Sequence, residues 1–97
     1  MEISTNLNGG TLTINVSGRL DNTTAPELDA QKDNFNGITS LILDFNGLEY
    51  VSSAGLRVLL TFQKIMNNQG SMVVKNVSAD VMEIIDITGF SDILTIE

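Results

Sequence analysis

The apolar positions of this 97-residue chain change their period from one stretch to the next, and the changes mark its elements. Met1, Ile3, Thr5 and Leu7 alternate with polar residues, as do Leu12, Ile14 and Val16 beyond an Asn8-Gly9-Gly10 turn. That period of two predicts a β-hairpin with one core face and one polar face on each strand. Gly18-Arg19-Leu20-Asp21-Asn22-Thr23 reads as the loop leaving the hairpin. Thr24-Ala25-Pro26-Glu27 then predicts a helix start, with Thr24 capping, Pro26 in the first turn and Glu27 at the acid position of a capping box. The helix should run to about Phe35 on a narrow stripe of Ala25, Leu28 and Phe35, and Asn36-Gly37 ends it.

Leu41-Ile42-Leu43-Asp44-Phe45 is a nearly continuous apolar run, too short for a helix, and predicts a central strand buried on both faces. Residues 46–51 read as a connection, after which Ser52 and Ser53 open a long helix reaching about Asn67. At helical spacing Val58, Leu59, Phe62, Ile65 and Met66 share one broad face. Leu56 and Leu60 fall outside it, among Arg57, Gln63, Lys64 and Asn67, at the rim of the core or on a partner-contact patch. Gln69-Gly70 ends this helix, Met72-Val73-Val74 predicts a short buried strand, and Ser78 caps a third helix carrying Val81, Ile84 and Ile85. Gly89 closes that helix, and residues 93–96 predict a last strand. The order ββαβαβαβ implies one α/β domain over residues 1–97, with a mixed, mostly parallel sheet, an N-terminal hairpin and packed helices.

Composition narrows the chemistry. An apolar content of 42% is enough for one core at this length. No run approaches the ~20 apolar residues that cross a bilayer, and Met1-Glu2-Ile3-Ser4 lacks the basic and apolar regions of a secretory signal, so a soluble cytoplasmic protein is expected. The chain has neither cysteine nor histidine, which removes disulfides, thiolate metal sites, thiol nucleophiles and the commonest general base. Twelve acidic residues against five scattered basic ones give a net charge of -7, which argues against nucleic acid and against anionic membrane surfaces.

Asp21, Asp44 and Glu49 are the carboxylates available for chemistry, but their spacing selects neither a metal site nor an acid/base pair over ordinary loop carboxylates. No G-x-G-x-x-G or Walker-type pattern is present to cradle a nucleotide, so no cofactor and no metal are expected. Ser52 and Ser53 remain. A serine at a helix start is a cap by default, and the same position, with free N–H groups and a partial positive charge, suits an anion.

The stretch Leu43-Asp44-Phe45-Asn46-Gly47-Leu48-Glu49-Tyr50-Val51-Ser52-Ser53-Ala54-Gly55-Leu56-Arg57-Val58-Leu59-Leu60 closely resembles the central signature of STAS domains of the bacterial anti-anti-sigma factor (anti-sigma factor antagonist) family. Gly18-Arg19-Leu20-Asp21, Thr24-Ala25-Pro26-Glu27-Leu28 and Ile87-Thr88-Gly89-Phe90 look like that family's first loop, first helix and late turn, so nearly the whole chain is covered. The match departs from the family where Ser52 replaces a frequent Asp, and at Glu97, after which the family's final helix would follow. The resemblance implies a non-catalytic, phosphorylation-controlled switch in transcription regulation. Its unphosphorylated form would bind an anti-sigma factor that is also a serine kinase and free the sigma factor, with a phosphatase to reset it. Ser53 is the matched acceptor, Ser52 the second choice, and Asp21, Asn22, Ser52, Ser53, Gly55, Leu56 and Leu60 the expected partner face. A monomer or weak dimer is expected. STAS relatives also work as constitutive scaffolds and as small-ligand or lipid-transport modules, so those readings stand beside the switch.

Overall fold

Gly9 takes φ +61° at the first position of a two-residue turn, an angle that glycine adopts at little cost, and folds β1 (Glu2–Asn8) back onto β2 (Thr11–Leu20). The structure, a computed structural model, describes residues 1–97. The other strands are β3 (Ser40–Asp44), β4 (Leu48–Val51) and β5 (Ser71–Lys75), in the sheet order β1-β2-β3-β5. β1 is antiparallel to β2 and the remaining pairs are parallel, as the hairpin followed by alternating elements predicts.

Two expectations change along β2. The strand does not end at Ser17: it runs on to Leu20, its register shifting between Gly18 and Arg19 as it passes from β3 to β4. β4 itself lies in residues expected to be a mere connection. Its pairing with Gly18, Arg19 and Leu20, together with burial of Leu48 and Val51, makes a strand of a stretch whose own pattern is too short to signal one. The Arg19 guanidinium lies 4.4 Å from the centre of the Tyr50 ring across this pair.

Leu12, Ile14 and Val16 of β2, Leu41 and Leu43 of β3, and Met72 and Val74 of β5 are buried on one face of the sheet. On the other face Ile42 and Val73 are only half-buried. The expected two-sided burial of β3 therefore does not occur, because the core is a single cluster to one side of the sheet. β1 follows as an edge strand whose Leu7 is exposed, so its apolar alternation is only partly used.

The first helix is shorter than its pattern suggests. α1 spans Ala25–Asp29 and gives way to a 3-10 helix over Ala30–Asn34, although Ala25, Leu28 and Phe35 are all buried as expected. Thr24 makes no side-chain cap: its hydroxyl accepts from the Asp21 N–H (2.8 Å) and donates to the Arg19 carbonyl (2.9 Å), so it is committed to the preceding loop. α2 spans Ser53–Asn67, and Phe62 on its buried side meets Phe35 edge to face, with ring centroids 4.8 Å apart. Past its end, the Gln69 amide donates to the carbonyls of Phe35 (2.6 Å) and Ile38 (2.7 Å). Gly70 is needed beside it, since a Cβ there would collide with the Thr39 backbone.

α3 spans Ala79–Ile87 behind the Ser78 cap, whose hydroxyl accepts from the Val81 N–H at 3.2 Å, and Gly89 closes it in the left-handed region. Residues 93–96 do not form the expected strand. Phe90–Asp92 is a 3-10 turn, and the N–H groups of Ile93 and Leu94 bond back to the Phe90 carbonyl, so only a single Val74–Ile96 bridge reaches the sheet. No helix is long and apolar enough to cross a membrane.

Candidate functional site

The site stands where β4 hands the chain to α2. Ser52 keeps extended backbone angles, so its N–H still bonds the Leu20 carbonyl (2.8 Å) while its hydroxyl accepts from the Gly55 N–H (3.3 Å) as the helix cap. The same hydroxyl lies 3.4 Å from the Asn22 side-chain oxygen, to which it donates. Residue type and position alone left the cap undivided between the two serines; the structure gives it to Ser52. Ser53 is the first residue of α2, it is exposed, and its hydroxyl makes no hydrogen bond.

Asp21 is held in the adjoining loop. Its carboxylate accepts from the Thr23 hydroxyl (2.7 Å), the Thr23 N–H (3.0 Å) and the Thr24 N–H (3.2 Å), an arrangement typical of an Asx turn. These bonds, that of the Thr23 hydroxyl foremost, hold its pKa below the ordinary value, so the carboxylate is charged throughout the physiological range. The loop thereby fixes Asn22 against Ser52.

Two of the expected partner residues cannot serve as direct contacts. Leu56 is only 3% exposed and belongs to the core, because α2 is packed over a wider arc than its main apolar stripe. Gly55 is buried too, and a Cβ on it would come within 2.7 Å of Leu20 Cγ and 2.9 Å of Val51 Cγ2. It lets the helix start sit closely on β2 and β4. Gly55→Ala is expected to cost about 1–3 kcal/mol through this crowding, in spite of alanine's better helix propensity, as read by urea denaturation. A neutral or stabilising result would show that Leu20 swings aside freely. Leu60 is half-buried, and Asp21, Asn22, Ser52 and Ser53 lie together at one corner.

Beside that corner an open groove of about 340 Å³ runs between α1 and the first turns of α2, lined by Asn22, Ala25, Pro26, Asp29, Ala54, Arg57 and Val58. Sequence reasoning did not single out Pro26, Asp29, Ala54 or Arg57. The signal was present in the helical spacing of Ala54 and Val58 and of Pro26 and Asp29, but which faces oppose each other is set by tertiary packing. The first turn of α2 contains no acidic residue, and the N–H groups of Ser53 and Ala54 have no acceptor within the helix. This corner can therefore accommodate an anion attached to residue 53 and offers a shallow mixed surface to another protein.

Comparison with known proteins gives a consistent picture. The profile described as STAS domain matches residues 2–97. The chain is 39% identical over 71 residues to the candidate anti-sigma factor antagonist BtrV of Bordetella bronchiseptica, covering 72% of this chain and 60% of that protein. It is 30% identical over 91 residues to an anti-sigma F factor antagonist of Paenibacillus polymyxa, covering 90% of this chain and 78% of that one. The fold superposes on unphosphorylated SpoIIAA with a TM-score of 0.84 at 18% identity over 99% of this chain and 88% of that one. On the phosphorylated form of SpoIIAA, from Bacillus, the TM-score is 0.76 at 17% identity, over 99% and 91% of the two chains.

Proposed function

The chain belongs to the STAS domain family, and on that premise we propose that it is an anti-sigma factor antagonist whose hold on its partner is switched by phosphorylation of Ser53. The unphosphorylated domain binds an anti-sigma factor that is also a serine kinase and so frees the sigma factor. Phosphorylation ends that binding, and a phosphatase restores it. The domain itself performs no catalysis.

The observation that carries this reading is the exposed, unbonded hydroxyl of Ser53 at the first position of α2, beside a serine already committed to capping. A kinase can reach it without unfolding anything. The phosphate adds about -1.5 to -2 charges, and its oxygens accept hydrogen bonds from the free N–H groups of the first helical turn. The effect falls on the partner, whose surface was fitted to a neutral hydroxyl and would have to bury a dianion beside the charged Asp21.

Incubation with the cognate kinase and ATP, followed by intact mass measurement, tests this. Wild-type protein should gain one phosphate and lose the complex, whereas Ser53→Ala should gain none and still bind. Equal phosphate uptake by Ser53→Ala and wild type would move the acceptor away from Ser53, with Ser52 as the next residue to substitute.

A further inference from the structure

β1 is an outermost strand of the sheet: its register runs from Glu2 opposite Ser17 to Asn8 opposite Thr11, and no strand lies on its other side. In a two-residue hairpin the residues flanking the turn, Asn8 and Thr11, form a hydrogen-bonded pair, and the antiparallel ladder alternates from there. Asn6, Ser4 and Glu2 therefore direct their backbone groups to β2, while Leu7, Thr5 and Ile3 direct theirs outward. Edge strands are commonly guarded by lysine, proline or a bulge. β1 has none of these, its only charged residue is Glu2, and Leu7 is 64% exposed.

We propose that the outer edge of β1 is a self-recognition surface, to which a second copy of the chain adds its own β1, antiparallel, about a two-fold axis at Thr5. Two properties of Glu2-Ile3-Ser4-Thr5-Asn6-Leu7-Asn8 select this occupant and this register. The pattern reads the same in both directions about Thr5. Thr5 then faces its symmetry mate, Ile3 faces Leu7, Ser4 faces Asn6 and Glu2 faces Asn8. The outward backbone groups also match: Thr5 meets Thr5, and Ile3 meets Leu7, so each free N–H and C=O of these residues finds a partner. A slip by one residue in one chain would set outward groups against groups already used in the hairpin ladder.

Charge fits as well. Two chains of net charge -7 repel, and this register lets them meet along a nearly uncharged strip with the two Glu2 side chains at opposite ends. The contact is small, so the association is weak, and salt strengthens it by screening the overall repulsion. This surface is independent of the Ser53 switch.

Sedimentation of the whole domain from micromolar to millimolar concentration tests the proposal. The average mass should rise toward a dimer, more so at high salt. Thr5→Pro should stay monomeric with a native circular dichroism spectrum, because the N–H it removes is not used by β2. A separate test fixes the register. In this cysteine-free chain Thr5→Cys should form a disulfide dimer at least about tenfold faster than Leu7→Cys, since only at the axis do the two sulfurs come within bonding reach. A mass that stays monomeric at all concentrations, self-association undiminished in folded Thr5→Pro, or equal oxidation of the two cysteine variants would each overturn the proposal.

Discussion

Ser53→Asp is expected to weaken binding to the anti-sigma partner by more than about a hundredfold, equivalent to a loss of about 3 kcal/mol, as measured by titration calorimetry. The charge enters at an exposed position with no hydrogen bond to break, so the domain has nothing to lose. It has something to gain, since a carboxylate in the first turn of a helix is favourable by about 0.3–1 kcal/mol. The circular dichroism spectrum should stay native and the melting temperature should hold or rise slightly. The binding loss comes from enclosing a charge for which the partner provides no counter-charge, next to the Asp21 carboxylate whose pKa its loop hydrogen bonds hold low. Unchanged affinity with an intact spectrum would sink the switch. A matching fall in stability would instead show that residue 53 supports the fold.

The largest loss of stability should come from Phe62→Ala, at about 3–5 kcal/mol, the range found when a fully enclosed aromatic ring is truncated. Phe62 is 0% exposed and packs edge to face on Phe35, which joins α2 to the segment following α1. Removing the ring leaves a cavity between elements held from several sides, where collapse is difficult. Urea denaturation of the variant measures the loss directly. A cost below about 1.5 kcal/mol would show that the neighbouring side chains close over the gap. At temperatures where Phe62→Ala remains folded, its Ser53 should be phosphorylated at the wild-type rate, because Ser53 is the exposed first residue of α2 and Phe62 lies about two and a half turns further along the helix.

The order of elements was legible wherever a local signal sufficed. The hairpin turn, the serine starting α3, the glycine after it and the extent of α2 all follow from near neighbours in sequence. What was missed depends on partners distant in the chain. β4 exists through its pairing with residues about thirty positions earlier, and the expected strand at residues 93–96 was overridden by a turn centred on Phe90. Thr24 illustrates competition between two local uses of one hydroxyl: both cap and loop were available, and the Asp21 turn took it. For the site, the residue pattern alone pointed to both serines without separating their tasks; the family resemblance put the acceptor at Ser53, and the structure gives the cap to Ser52. Of the two places open to Leu56, the rim of the core and a partner-contact patch, the structure takes the core side, because periodicity gives the middle of a buried face and not its width, which neighbouring elements decide.

The double clasp of the Gln69 amide on the Phe35 and Ile38 carbonyls joins the tail of α2 to the two flanks of the Asn36-Gly37 turn. That turn cannot swing outward without releasing the helix end as well. The two segments therefore open as one cooperative unit, and amide protons on both sides of the clasp should exchange with solvent deuterium at a shared rate. A protease would meet residues 36–37 as a sealed seam rather than a loose loop.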